Sequence, residues 1–187
     1  MNIILFGPPG AGKGTQAKYL VKKLDGFQIS TGDILRDEIK KETDIGKKII
    51  NDMNEGKFVS DQIVNELISN IIFDPNKKNR LIFDGYPRSL SQAKNLNLLL
   101  EKSGQKIDHV FFLNVNKDTI IKRIKKRKIE EKRSDDDLEI IIKRYDRYMN
   151  ITKPVLDFYS KNIIFHEIDG SLKIDQITNK IDNFIDV

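Results

Sequence analysis

The sequence predicts an α/β fold, a five-stranded parallel sheet with helices on both faces. Short apolar runs alternate with helical patterns along the chain, which is the arrangement typical of parallel sheets. The first apolar run leads directly into a glycine-rich turn and then a helical pattern, as in a strand–turn–helix unit. Five runs have the length and composition of buried strands: Asn2–Phe6, Phe27–Ile29, Arg80–Asp84, His109–Val115 and Ile163–Ile168.

Three helical stripes predict helices that cover the sheet and contribute core side chains only. One contains Val64, Leu67, Ile68, Ile71 and Ile72, with Ser60 or Asp61 as its expected cap. The last contains Ile174, Ile177, Ile181 and Ile185. Between Ser91 and Leu100 the apolar face is broad, which predicts a largely buried helix.

Two segments interrupt the alternation of strands and helices. Residues 30–59 contain two short helical patterns, around Ile34–Ile39 and Ile45–Met53, and predict a small helical lobe. Residues 128–137 are heavily charged, with Ile129 as their one apolar side chain, and predict a short exposed flap. We expect one domain over 1–187, whose core is formed by 1–29, 60–127 and 138–187.

Composition excludes some classes of protein and leaves others open. The 187 residues contain no cysteine, which excludes disulfides and thiolate metal sites. His109 and His166 each lie at the edge of an apolar run, and no zinc site is predicted from them. No apolar stretch is long enough for a bilayer and no signal peptide is visible, so we expect a cytoplasmic protein. The net charge of +5 suits a polyanion, either nucleotide or nucleic acid.

The glycine-rich turn is the strongest functional signal. Its sequence is Gly7-Pro8-Pro9-Gly10-Ala11-Gly12-Lys13-Gly14-Thr15-Gln16. Glycines let backbone N–H groups face a polyphosphate, the helix start adds its positive dipole end, and Lys13 adds a charge. A turn that merely starts a helix is the alternative, and this combination of residues argues against it. Gly14 stands where the general phosphate-binding pattern has Ser or Thr, and Thr15 supplies a hydroxyl one place later.

Further polar residues follow the second and third predicted strands, where ligands bind in α/β sheets. Asp84 closes an apolar run and is followed by Gly85-Tyr86-Pro87-Arg88. Its carboxylate could hold magnesium or its waters, or it could be an ordinary turn aspartate. The second strand leads into Ser30-Thr31-Gly32-Asp33-Ile34-Leu35-Arg36.

Arginines in the second half of the chain are the remaining candidate site residues. Arg123, Arg127 and Arg133 lie in a basic segment, and Arg144 follows it. Such a segment could be a solvated helix face or a nucleic-acid patch, but no aromatic recognition element accompanies it. The arginine fork binds phosphate oxygens in pairs, so the collection indicates phosphoryl transfer.

Three motifs and a fourth segment closely resemble the adenylate kinase family. The motifs are Gly7–Gln16, with its Gly14-Thr15 pair, Ser30–Arg36 and Asp84–Arg88. Arg133 with Asp135-Asp136, followed by Arg144, is similar to the lid motif of that family. The resemblance covers essentially the whole chain. It implies a P-loop NTPase-type sheet, a nucleoside monophosphate (NMP)-binding lobe at 30–59 and a short lid at 128–137 without zinc.

The resemblance also implies the reaction and the residues that perform it. The reaction is the reversible, magnesium-dependent conversion of ATP and AMP into two ADP by a monomer, without nucleic acid or membrane. The implied catalytic residues are Lys13, Arg88, Arg127, Arg133 and Arg144. The implied ATP-binding residues are Gly10, Ala11, Gly12, Lys13, Gly14, Thr15, Arg123 and Arg127. The implied AMP-binding residues are Thr31, Arg36, Lys57, Phe58, Val59, Gly85, Arg88, Gln92, Arg133 and Arg144. Asp84, with Asp33 and Thr15 less directly, would order magnesium and its waters.

Two positions bear on which monophosphate is accepted. Thr31 and Gln92 are similar to adenylate kinases, whereas pyrimidine monophosphate kinases typically have alanine and asparagine there. A glutamine amide can pair its donor and acceptor with an adenine edge. A UMP/CMP kinase of the same family is the alternative. A nucleotide-responsive module without catalysis and an RNA-binding protein are the alternatives from other classes.

Overall fold

The computed structural model describes residues 1–131, 137–161 and 164–185, and its centre is a five-stranded parallel sheet. The strand order is β2-β3-β1-β4-β5, which confirms the predicted fold class. The strands are β1 (Ile3–Phe6), β2 (Phe27–Ser30), β3 (Leu81–Asp84), β4 (His109–Asn114) and β5 (Phe165–Asp169). All four β1 residues are buried, as expected for a central strand covered on both faces.

The strand order places the candidate ligand residues together. From β1 the chain crosses to the edge strand β2 and returns to β3 beside β1, and it then crosses to β4 and β5 on the other side of β1. The order therefore reverses at β1, and the loop that leaves β1 opens onto the crevice where ligands bind in such sheets. In the register of β1, β3 and β2, Leu5 lies beside Asp84, and Asp84 beside Ser30. The predicted motifs therefore leave the sheet at one edge.

Helices cover both sheet faces and form two apolar clusters. One cluster contains Ile4, Phe83 and Leu96, and the other contains Ile3, Ile82 and Ile181. Alternation along each strand explains the division, since neighbouring side chains point to opposite faces. The helices of the sheet layers are α1 (Lys13–Leu24), α4 (Asp61–Ile72), α5 (Leu90–Lys102), α6 (Lys117–Glu131), α7 (Leu138–Arg147), α8 (Lys153–Ser160) and α9 (Ile174–Ile185).

The predicted excursion at 30–59 contains two helices, α2 (Thr31–Lys40) and α3 (Asp44–Asn54). Each begins at a hydroxyl residue whose side chain accepts a backbone N–H, as favoured at helix starts. Ser30 accepts from Asp33 at 3.3 Å, and Thr43 accepts from Gly46 at 3.0 Å. The two helices pack on each other and connect back to the core at Asp61.

Three details of the sequence interpretation need correction. Helix α5 is buried along one face only, because Leu90 and Leu98 are 43% and 54% exposed. Ser60 occupies the cap position of α4, but its side chain makes no capping hydrogen bond. The first residues of the predicted flap, 128–131, are helical and form the last turn of α6. Residues 132–136, including Arg133, lie outside the described residues.

Within the described residues, no helix has both the length and the apolar character needed to cross a membrane.

Candidate functional site

The glycine-rich loop joins β1 to α1 and is closed over the side chain of Lys13. The Lys13 ammonium donates to the carbonyl oxygens of Gly7 at 2.7 Å and Pro8 at 3.1 Å. Gly12 precedes the helix with φ of 98°, a left-handed conformation that favours glycine. This conformation directs the first N–H groups of α1 toward the space that the loop encloses, which is the geometry of an anion site.

Burial lowers the pKa of Lys13 to about 8. The negative charge of Asp84 opposes this shift, whereas the positive charges of Arg88, Arg144 and Arg127 add to it. Those four groups come from three separate regions of the chain, and all four line the same cleft as Lys13. A site with this excess of cations is suited to a polyanion, because bound phosphate would restore the favourable environment of each cation.

The Asp84 carboxylate lies at the carboxyl end of β3, between α1 and β2. Gln28 Nε2 donates to Asp84 Oδ2 over 3.0 Å. A Cβ atom at Gly14 would lie 3.4 Å from the same oxygen. Glycine at position 14 therefore keeps the surroundings of Asp84 open on the side that faces the loop.

Arg88 is held by several contacts on the turn that follows β3. Its Nε donates to the Gly85 carbonyl oxygen at 2.7 Å, and its guanidinium lies 5.1 Å from the centre of the Phe58 ring. Thr31 Oγ1 donates to the same Gly85 carbonyl at 3.0 Å. These contacts join the first residue of α2 to the Asp84–Arg88 turn, so two of the predicted motifs form one structural unit.

Three further arginines that were predicted for the site lie on α6 and α7. Arg123 donates to the Ala11 carbonyl oxygen of the loop at 3.3 Å. Arg127 lies one helical turn further along α6, and Arg144 lies on α7. A Cβ atom at Gly56 would lie 3.0 Å from Cγ of Arg144, so the end of the α2–α3 lobe touches this helix.

Two of the remaining predicted residues form ion pairs, and a third is buried. Arg36 forms an ion pair with Asp33 at 2.5 Å. Lys57 pairs with Glu55 at 2.6 Å and is exposed, whereas Val59 is buried.

A cleft of about 640 Å³ collects most of the predicted residues. Those that line it are Gly10, Ala11, Gly12, Lys13, Gly14, Thr15, Asp33, Arg36, Phe58, Asp84, Gly85, Arg88, Arg123, Arg127 and Arg144. Thr31, Lys57, Val59 and Gln92 do not line it, and Arg133 lies outside the described residues. The cleft is thus a basic chamber with Asp84 as one of its acids.

A second, small apolar cavity lies between α2 and α4 and is too narrow in this structure to admit a water molecule. Its lining is Thr31, Ile34, Leu35, Val64, Leu67 and Ile68. Gln92, at the start of α5, is only 3% exposed and makes two side-chain hydrogen bonds. Its Oε1 accepts from the Arg88 backbone N–H at 2.7 Å, and its Nε2 donates to Asp61 at 2.7 Å.

Several residues in or beside the cleft were not predicted. Gln28 and Asp61 hold predicted site residues, and Leu172 lines the cleft near the end of β5. Tyr148 and Thr152 also line it, from a turn of π-helix between α7 and α8. The sequence could have indicated Gln28, because it is a polar residue within an apolar run. It could not have indicated the role of Asp61, because Asp61 and its partner are distant in sequence.

Fold and site together define the class: an α/β protein of the phosphate-binding-loop type, in which arginines from the Asp84–Arg88 turn, α6 and α7 line the cleft at that loop. Comparison with known proteins narrows this class. The adenylate kinase family model matches residues 5–164, and the chain belongs to that family.

Curated relatives agree with the family assignment. An adenylate kinase of Pelagibacter ubique (strain HTCC1062) is 52% identical over the full length of both chains. One from Mycoplasma mycoides subsp. mycoides SC is 42% identical over 97% of each chain. A third, from Caulobacter sp. (strain K31), is 40% identical over 100% of this chain and 99% of its own.

Proposed function

We propose that the protein is an adenylate kinase that transfers the terminal phosphoryl group of ATP to AMP, reversibly, to give two ADP. The observation that carries the proposal is that Lys13, Arg88, Arg127, Arg144 and Asp84 line one cleft at the glycine-rich loop. Phosphoryl transfer passes through a loose transition state whose charge is spread over peripheral oxygens. Several fixed cations around one position supply the stabilisation that this transition state needs.

Each part of the cleft has a task in this reaction. The loop N–H groups and Lys13 would bind the ATP phosphates, and Arg123, against the loop, would pack on the ATP base. Arg36 and Arg88 would hold the AMP phosphate. Arg127, Arg133 and Arg144 would neutralise the transferring group from the opposite side. No side chain needs to act as a nucleophile, since AMP itself supplies the attacking oxygen.

The acidic side chains of the site are suited to magnesium. Asp84, with Asp33 and Thr15 less directly, would hold the ion through its waters, while the nucleotide phosphates supply the other oxygen ligands. Carboxylate, hydroxyl and phosphate oxygens are the donors that magnesium prefers. When bound, the ion would neutralise charge on the phosphates.

The division into lobes belongs to the same proposal. Residues 30–59 would be the NMP-binding lobe and 128–137 the short lid, closing over the core at 1–29, 60–127 and 138–187. Closure excludes water and so prevents hydrolysis of ATP. The protein would act as a cytoplasmic monomer on ATP, AMP and ADP, without nucleic acid or membrane.

AMP is favoured over pyrimidine monophosphates as the acceptor. Thr31 and Gln92 both contact the Gly85–Arg88 turn, and the names of the relatives point the same way. A coupled assay that offers AMP, UMP and CMP separately with ATP and magnesium tests the proposal. We expect AMP to be preferred, and higher kcat/KM for UMP or CMP would contradict the adenine assignment. A protein that binds ATP but transfers no phosphoryl group would contradict the enzymatic assignment.

A further inference from the structure

Asp61 joins the start of α4 to the start of α5, at the point where the α2–α3 lobe returns to the core. Its two carboxylate oxygens both face the start of α5. Oδ2 accepts the Ser89 hydroxyl at 2.7 Å, and Oδ1 accepts Gln92 Nε2 at 2.7 Å. Ser89 is itself the cap of α5, accepting the Gln92 backbone N–H at 3.1 Å. The contacts of Asp61 are therefore made to another helix instead of to its own.

The amide of Gln92 is oriented by two hydrogen-bond partners, of which one is a donor and the other an acceptor. The Arg88 backbone N–H requires an acceptor and contacts Oε1 at 2.7 Å. The Asp61 carboxylate requires a donor and contacts Nε2. Reversing the amide would place its oxygen against the carboxylate and its NH₂ against the Arg88 N–H. Both contacts would then be lost at a buried position, where unpaired polar groups are costly.

The fixed orientation determines which hydrogen-bonding groups of the Gln92 amide remain available to a ligand. A glutamine amide has two donors and two acceptor positions, and these partners use one of each. One N–H donor and one oxygen lone pair remain, and the fixed orientation of the amide determines the position of each. An adenine edge presents the complementary pair, the N1 acceptor beside the N6 amino donor. Guanine presents the opposite order, an O6 acceptor beside the N1–H donor, and cytosine and uracil differ in the same way.

The small apolar cavity, which would have to widen to admit a base, is lined by residues that are linked to the partners of this amide. Val64 lines the cavity and lies one helical turn beyond Asp61 on α4. Thr31 lines the cavity from α2 and contacts Gly85, three residues before Arg88. A base in this region would meet apolar side chains on its faces and polar groups at the Arg88 turn.

We infer that Asp61 is a positioning residue that fixes the amide of Gln92 and thereby sets the choice of base. The inference rests on the proposed function, since it assigns a base to this region. It states that Asp61 favours bases with an acceptor beside an amino donor, adenine and cytosine, over guanine and uracil. Asp61 touches neither the phosphates nor the loop, so its effect is on selectivity.

The test measures kcat/KM for AMP and GMP, and for CMP and UMP, in the wild type, Asp61→Leu and Asp61→Asn. Asp61→Leu removes the acceptor, and the AMP-to-GMP ratio should fall on the order of ten-fold. Asp61→Asn is the matched control. Its oxygen can still accept Gln92 Nε2 while its own NH₂ donates to the Ser89 hydroxyl, so the ratio should be retained. Ser89→Ala, which removes the other partner of Asp61, should lower stability and keep the ratio.

A second measurement keeps the inference testable if Asp61→Leu is poorly folded. The side-chain NH₂ signals of Gln92, assigned in a ¹⁵N spectrum with a Gln92→Leu variant, should be slow to exchange in the wild type and faster in Asp61→Ala. Equal losses of kcat/KM with AMP and GMP, or an unchanged ratio, would overturn the inference. A rapidly exchanging Gln92 amide in the wild type would also overturn it. A wild type that is inactive with AMP would instead refute the proposed function, while the amide signals would still report on Asp61.

Discussion

Gln28 Nε2 donates a hydrogen bond of 3.0 Å to Asp84 Oδ2, linking the ends of β2 and β3. The two residues are diagonal neighbours, since Ser30 is the register partner of Asp84 and Gln28 precedes it by two positions. The bond fixes one oxygen of the carboxylate and so holds the side chain in one orientation. A carboxylate held in this way is prepared to order a cation or its waters.

Gln28→Leu should therefore weaken magnesium use without unfolding the sheet. We expect activity to fall by about 10–100-fold, the usual cost of removing a partner of a metal-binding group. The magnesium concentration for half-maximal rate should rise as well, which titration of the rate with MgCl₂ would measure. Gln62→Leu, at an exposed position of α4, is the control. A loss of activity with an unchanged magnesium requirement would show that Gln28 does not act through Asp84.

Much of the fold and of the cleft could be predicted because the signals are local. The apolar runs located all five strands to within two residues at each end, and the motif residues define the loop and the Asp84–Arg88 turn. The strand order then brings these motifs to one edge, which follows from parallel pairing. Arg123 could be expected near the loop, since it lies in the first helix after β4.

The contacts that join distant positions could not be predicted in this way. The bond between Asp61 and Gln92 spans 31 residues, and no spacing rule relates them. The exposed side of α5 was missed because Leu98 is apolar but faces solvent, and composition does not reveal which neighbours cover a face. Ser60 had the residue type of a helix cap, yet its hydroxyl makes no such bond.

Arg88→Lys should preserve the fold and reduce turnover by roughly 10²–10³-fold, the loss expected when a fixed donor to developing charge is removed. The planar guanidinium of Arg88 contacts the Gly85 carbonyl oxygen and lies over Phe58. A lysine ammonium lacks the planar fork and cannot bind two phosphate oxygens while keeping these contacts.

Arg80→Lys is the matched control for that substitution. Like Arg88, Arg80 has its guanidinium over a phenylalanine ring, 5.0 Å from the centre of the Phe27 ring. It also forms an ion pair with Asp25. It does not line the cleft, so its replacement should leave turnover within two-fold of the wild type, as expected for an exposed ion pair. Steady-state rates with both substrates saturating would compare the two variants. Equal rates in Arg88→Lys and the wild type would mean that Arg88 does not contact the transferring phosphates.

Gly12→Ala should affect both stability and activity, because the backbone at this position is left-handed. Gly12 has φ of 98°, and no atom lies within 4 Å of a Cβ placed there, so strain is the expected effect. The cost should be about 1–2 kcal/mol of unfolding free energy, with weaker ATP binding as the loop relaxes. Gly104→Ala is a control with φ of 67° outside the cleft, and it should lose stability but retain ATP affinity. Denaturant unfolding and ATP titration would measure the two effects, and equal ATP affinities would contradict the prediction.

The two histidines should make stability depend on pH. His109 Nδ1 and His166 Nε2 lie 3.4 Å apart, and the His166 ring centre is 3.8 Å from that of Phe184. Burial lowers the pKa of both imidazoles, although Asp108 partly opposes the shift at His109. The charge of His109 further lowers the pKa of His166. The unfolded chain, in which histidine titrates near pH 6.5, therefore binds protons more readily than the folded protein.

The sign of the effect follows from linkage: groups with a lowered folded pKa contribute stability at high pH. That stability should be present above about pH 6.5 and should be lost as pH falls through the lower folded pKa values. His166→Phe keeps an aromatic ring against Phe184 and removes one titrating group, so its unfolding free energy should change less between pH 7.5 and 5. Urea unfolding of both proteins across this range would measure the difference. Because His109 begins β4 at the edge opposite the loop, activity at pH 7.5 should be unchanged in this variant. Parallel pH profiles of stability in the two proteins would contradict the prediction.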